Sequence, residues 1–291
     1  MDIEVNEIYR NMSIEDLVQR LKDSEANLEE SKLKTEYFAN LSHELKTPLN
    51  IILGSMQLIE LHMLNGRIQD SEKILEKYMN NMKQNALRLL RLINNIIDLT
   101  KIDANELYIE FHNYDIVDIV KNVVKSIESY ARIKSVNIKF VSEIESQVIA
   151  CDADKIERIL LNLLSNALKF TNENGNIDIT IKTEDKQICI YVEDDGVGIH
   201  EEKLKTIFKR FRKVDKSFTR NRQGSGIGLS IVKSLVEMHN GTISAESEYG
   251  RGSRFIVQLP LTTVDEHNNV NLYSQFQDEI LMRVRVEFSD L

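Results

Sequence analysis

The sequence predicts a multidomain fold, α plus α/β: a helical hairpin that forms a four-helix bundle in a dimer, followed by an α/β layered domain. Three observations predict it. The first hundred residues contain only Gly54, Gly66 and Pro48 as helix breakers. Apolar residues there recur at three- and four-residue steps. After Asp103 the texture changes to short apolar runs alternating with helical patterns.

Taken in order, Ser13 and Asp16 resemble a capping box at a helix start. Ile14, Leu17, Leu21 and Leu28 form a stripe whose phase slips before Leu41, either a loosely patterned linker helix or a bistable joint. Residues 1–34 are assigned to this linker. Phe38, Leu41, Leu45, Pro48, Ile52 and Ile59 make the first seam of a hairpin over residues 35–103, with a break at Asn65-Gly66. Leu75, Met79, Met82, Ala86, Leu89, Ile93 and Ile96 make the second, with a heptad's 4-3 alternation. Two helices cannot bury both seams, so a homodimer is expected.

Residues 104–261 form the α/β domain. Strands are expected at Leu107–Phe111, Val136–Val141, Ile177–Ile181, Ile188–Val192, Thr242–Ala245 and Arg254–Leu259. Helices are expected at Ile116–Ile133, Lys155–Phe170 and Gly226–Met238. Pro260 closes the domain. The tail, 262–291, has no assigned role; its run ILMRVRVEF alternates like an edge strand.

A net charge of -9 argues against nucleic acid as a partner, because phosphate contacts need clustered Lys and Arg. Cys151 and Cys189 lack metal-ligand spacing and fit a reducing, cytoplasmic compartment. The most apolar stretch, Ile51–Leu64, is interrupted by Gly54, Gln57, Glu60 and His62, so a soluble chain is expected. A membrane-anchored parent with an upstream sensor is compatible with it.

His43 lies in FANLSHELKTPL, two positions from both Leu41 and Leu45, so its ring should point outward. Glu44 follows it and is placed to hold one ring nitrogen and absorb its proton, leaving the other as a nucleophile. Thr47, one turn on, offers a hydroxyl for water or phosphate. Pro48 should bend the helix just beyond.

Three stretches farther on suit a nucleotide. In IERILLNLLSNALKF, Asn162, Asn166 and Lys169 share one helix face. Amide oxygens suit Mg²⁺ and a lysine suits polyphosphate. YVEDDGVGI brings Asp194 to a strand end, where it can accept from an exocyclic amine, while Gly196 and Gly198 permit close backbone approach. Gly224, Gly226 and Gly228, with Leu229, open a helix whose free N–H groups suit phosphate. Between the glycine motifs, a basic stretch from Lys203 to Gln223 reads as a lid; Phe208 and Phe211 either anchor it or pack in the core.

These motifs, in this order, resemble the histidine kinase core of two-component signalling over about residues 30–261. FANLSHELKTPL looks like the H box, NLLSNALKF the N box, DDGVG and GSGIGL the two G boxes, and IFKRF the F box. The resemblance implies a phosphotransfer hairpin and an α/β sandwich ATPase domain of the gyrase type, using ATP and Mg²⁺. It implies that His43 is phosphorylated, Glu44 takes its proton, and Thr47 orients water when the partner is dephosphorylated. It implies Asn166 at Mg²⁺ with Asn162 and Lys169 assisting, Asp194 at the adenine amine, and Gly224, Gly226 and Gly228 beside the phosphates. The implied partner is a response-regulator receiver domain. Lys213 departs from the arginine often found in such lids.

Overall fold

The structure, a computed structural model, describes residues 13–64, 71–209, 226–265 and 277–290. The chain divides into two compact units, Met1–Glu44 and Leu45–Leu291.

Helix α1 (Ile14–Leu64) begins in the first unit and continues into the second, running through Pro48. The expected capping box is present: the Asp16 N–H donates to Ser13 Oγ (3.1 Å) and the Ser13 hydroxyl to Asp16 (2.8 Å). Within the first unit Val18, Leu21 and Leu28 are exposed and Leu41 is buried.

In the second unit, α1 is followed by α2 (Ser71–Asp103). The His62 and Tyr78 rings lie 6.2 Å apart, so the two helices fold back on each other as a hairpin. Leu92, Asn95 and Leu99 are buried at three- and four-residue steps, whereas Leu75, Met79 and Ile93 of the predicted seam are exposed in the single chain. The Asn65-Gly66 break lies outside the described residues.

The α/β domain carries β1 (His112–Asp115), α3 (Ile116–Ile133), β2 (Asn137–Ser142), β3 (Val148–Cys151), α4 (Ala153–Phe170), β4 (Asn176–Glu184) and β5 (Gln187–Asp194). A short α5 (Glu201–Leu204), α6 (Gly228–Met238), β6 (Thr242–Glu248) and β7 (Gly252–Pro260) follow. Five strands form one mixed sheet, ordered β2-β4-β5-β7-β6, with only the β2–β4 pair parallel. Asp185 and Lys186, both at positive φ, turn β4 into β5. Strand alternation sends Ile177, Ile179, Ile181, Ile188, Ile190 and Val192 to one fully buried face, beneath α3, α4 and α6. β1 and β3 form a separate two-stranded sheet, onto which the chain returns after β7: the Ala150 N–H donates to the Thr262 carbonyl (2.6 Å).

Two expectations are corrected. Residues 107–111 are not a strand; pairing starts at His112, opposite Cys151, because the partner β3 is only four residues long. The tail segment is a helix, α7 (Gln277–Glu287), not an edge strand. Ile280, Val284 and Phe288 are buried at a step of four, which puts them on one face of a helix.

Candidate active site

Helix α4 is the spine of the site. Asp152 caps it, accepting from the Lys155 N–H (3.2 Å), and Lys134 caps the far end by donating to the Leu168 carbonyl. Leu163, Leu164 and Leu168 anchor it to the sheet with no exposure.

Each glycine motif packs against a different point on this spine. Midway along, Asn162 is buried; its Nδ2 donates to the Arg158 carbonyl (3.0 Å) and its Oδ1 faces Gly228. A Cβ at Gly228 would sit 2.6 Å from that oxygen, so the start of α6 rests on the amide. At the end, Gly196 lies against Phe170: a Cβ there would be 2.5 Å from the Phe170 carbonyl oxygen, which also accepts from the Val197 N–H (3.3 Å). Asn162 and Phe170 are eight residues apart, roughly 12 Å along the helix. Asn166 and Lys169, both half-buried, lie between them. That span matches an extended nucleotide with its base at one glycine motif and its phosphates at the other.

At the Phe170 end, Asp194 is brought to the helix-covered face by the same alternation that buries Ile190 and Val192. It is 7% exposed and accepts from the Gly196 N–H (3.0 Å). Burial pushes its carboxyl up to about 6; the Gly196 N–H opposes this and the neighbouring Asp195 charge adds to it. Asp195 has another role, accepting from the Asn176 N–H (2.8 Å) and Nδ2 (2.7 Å), which ties the loop to β4. The loop also needs Gly198 (φ +68) and Gly252 (φ +106), where a Cβ would run into the carbonyls of Glu248 and Asp194 respectively. Gly252 lies in no motif of the sequence; its nearness to Asp194 comes from β5–β7 pairing.

At the Asn162 end, α6 starts at Gly228 without a side-chain cap, which leaves its first N–H groups as donors for a ligand. Gly226 has φ +69 and Leu229 is half-buried. Phe208 sets its ring edge against Phe255, 6.3 Å between centroids, so it packs onto β7. Gly224, Phe211, Lys213 and the lid from residue 210 to Gln223 lie outside the described residues.

The metal was expected at Asn166 and Asn162. Asn162 Oδ1 is buried against Gly228, which fits a residue that positions the donor set, while Asn166 is open enough to offer an oxygen ligand. Among the described residues no three His, Cys, Asp or Glu side chains gather as a metal site.

His43 is exposed on α1, as its heptad position requires, with Glu44 half-buried beside it. Thr47 is exposed and Pro48 buried in the second unit.

A glycine-lined cradle on one helix, above a sheet that is antiparallel except at one edge, defines an ATPase domain of the gyrase type behind a phospho-acceptor hairpin. Residues 151–263 match the family model for the histidine kinase-, DNA gyrase B- and HSP90-like ATPase, and residues 33–105 match the His Kinase A phospho-acceptor domain. The chain is 36% identical over 254 residues to the sensor histidine kinase TmoS of Ectopseudomonas mendocina, covering 87% of this chain and 25% of that protein. It is 34% identical over 249 residues to the sensor histidine kinase YclK of Bacillus subtilis (strain 168), covering 84% and 51%. Among solved structures, full-length ShkA in complex with AMPPNP superposes with a TM-score of 0.58 at 27% identity, over 79% of this chain and 46% of that one. The chain therefore carries a His Kinase A phospho-acceptor domain and a histidine kinase-type ATPase domain, as these relatives do, and it spans about half or less of their length.

Proposed function

We propose that this chain is an ATP-dependent protein histidine kinase core that phosphorylates its own His43 and passes the phosphoryl group to an aspartate of a response-regulator receiver domain. One observation carries the reading: a single helix meets one glycine motif at Phe170, beside the buried acceptor Asp194 of β5, and the other at Asn162, roughly 12 Å away along the helix. In this reading residues 35–103 are the phosphotransfer hairpin, 104–261 the catalytic domain and 1–34 the linker. Asp194 accepts from the adenine amine, Gly196 and Gly198 bring backbone close to the ring, and the α6 N-terminus with Gly224, Gly226, Gly228 and Leu229 borders the phosphates. Asn166, positioned by Asn162, and Lys169 would hold Mg²⁺ and the phosphate oxygens; the metal would supply charge neutralisation.

The unprotonated ring nitrogen of His43 attacks the γ-phosphorus in line, and the bond to the bridging oxygen breaks, releasing ADP. Glu44 takes the proton from the other ring nitrogen. Catalysis is mainly positioning and charge neutralisation. The same outward His43, with Glu44 and Thr47, supports dephosphorylation of the regulator by an oriented water. Exposed Leu75, Met79 and Ile93 support a homodimer, since an unpaired apolar seam of this length is a binding face. Among the described residues no helix is long and apolar enough to cross a membrane. Buried, unbridged Cys151 and Cys189 support a cytoplasmic setting.

The test is incubation with ATP labelled at the γ-phosphorus. Wild type should acquire acid-labile, base-stable label that His43→Gln lacks. Undiminished label in that variant would refute the assignment.

A further inference from the structure

Helix α7 lies beyond the ATPase family match, which ends at residue 263, yet it is built into the molecule more tightly than a solvated tail. It packs against α2 of the hairpin and against α3 and α4 of the catalytic domain. Its apolar stripe, Ile280, Val284 and Phe288, is at most 4% exposed, and the Phe288 ring meets Tyr130 of α3 at 5.2 Å.

Charges fix the same helix to both domains. On the hairpin side, Arg91 donates to the Glu287 carbonyl (2.7 Å), capping the helix end, and pairs with Asp290; Arg88 reaches the same carboxylate at 2.9 Å. On the catalytic side, Arg283 bridges Asp154 (2.8 Å) and the fully buried Glu157 (2.5 Å) at the first turns of α4. Next to this joint, Arg158 of α4 pairs directly with Asp98 of α2 and donates to Asn95 (3.0 Å). Arg158 also supplies the carbonyl that holds Asn162, so the joint and the nucleotide spine share a residue.

A helix held by apolar packing to two domains, with ion pairs to each, fixes their arrangement. Phosphoryl transfer requires the opposite: the catalytic domain must deliver a nucleotide to the hairpin and then withdraw to admit a second protein. We propose that α7 is an intramolecular clamp that locks the catalytic domain to α2 and restrains phosphorylation of His43. Its docking is independent of the kinase reading, but the restraint rests on it.

The experiment uses the full chain. Asp290→Arg places a third cation against Arg88 and Arg91 and should detach α7. The reversed pair, Arg88→Glu with Asp290→Arg, restores complementary charge, leaves Arg91 on the Glu287 carbonyl and should redock it. Amide hydrogen exchange of α7 and of residues 88–99 reads docking without catalysis; the initial rate of label incorporation reads restraint. Asp290→Arg should speed exchange in both segments and raise the rate about five- to tenfold, the scale of a typical coupling between sites, and the reversed pair should return both toward wild type. Unchanged exchange in Asp290→Arg would overturn the clamp. Faster exchange with an unchanged or lower rate would overturn the restraint. Absence of label from every form, with exchange still responding, would overturn the kinase reading and the restraint while leaving the docked helix in place.

Discussion

The amide oxygen of Asn162 and the α-carbon of Gly228 are packed so closely that a single methyl group at Gly228 would lie 2.6 Å from the oxygen. This contact holds the start of α6 on the middle of α4 and places its N–H donors. Gly228→Ala should therefore push the two apart and weaken ATP binding by about tenfold or more, roughly one lost charge-assisted hydrogen bond. Titration calorimetry checks it, with ADP weakened in parallel and the melting temperature little changed.

Asp194 should give nucleotide binding a pH dependence. Its carboxyl is pushed up to about 6 by burial, so lowering the pH through 6 neutralises the carboxylate proposed to accept from the adenine amine. Affinity for ATP should be full above pH 7 and fall as pH drops toward 5. In Asp194→Asn affinity should be lower and flat across that range. The same shift gives a stability effect of opposite sign. A carboxyl raised on folding favours the protonated native state, so that contribution is present below the unfolded value near 4 and lost as pH rises through 6.

His239 works the other way. It is buried, its Nε2 accepts from the Asp152 N–H (3.1 Å), its Nδ1 lies 2.7 Å from the Leu235 carbonyl, and burial lowers its pKa. A base lowered on folding contributes stability present above its unfolded value near 6.5 and lost as pH falls below it. Asp194 acts in the opposite direction over the same range, so the His239 contribution is read as a difference: the urea midpoint of wild type minus that of His239→Gln, without nucleotide, should fall from pH 7.5 to 5.5.

Arg283→Ala should destabilise the fold by about 3 kcal/mol, because Glu157 would stay buried without its cation. Adding Glu157→Gln should recover much of the loss. Guanidinium unfolding of the single and double variants measures both.

The apolar seam of α2 should be the dimer contact. Ile93→Glu places a charge on a residue 44% exposed in the single chain, so it should leave the fold intact and shift sedimentation from dimer to monomer.

Where periodicity and burial agreed, the fold was legible from the residues alone. Ile116–Ile133 reads as a helix because its apolar stripe is wide, and the structure bounds it at the same residues. Asp194 reads from the sequence as the end of a strand running into a glycine turn, and it does end β5, on the helix-covered face. His43 was legible because its two leucine neighbours define the opposite side. What failed was non-local. β3 is four residues whose one paired strand among the described residues is β1, so no internal pattern marks it. In α7, Val284, Val286 and Phe288 alternate like a strand, and only the packing of Ile280, Val284 and Phe288 on three helices chooses the helical register. Asn162 reads as a ligand on a polar face, yet it is buried because Gly228, distant in sequence, closes over it.

A nucleotide held between Asp194 and Gly228 should deliver its terminal phosphoryl group to His43. Mass spectrometry of peptides prepared at neutral pH after reaction with Mg-ATP reads that transfer. One added phosphoryl group is expected on the peptide containing His43 in wild type, and none there in Asp194→Asn at low ATP. A phosphoryl group on another residue, or full modification of His43 in that variant, would show that the transfer does not occur this way.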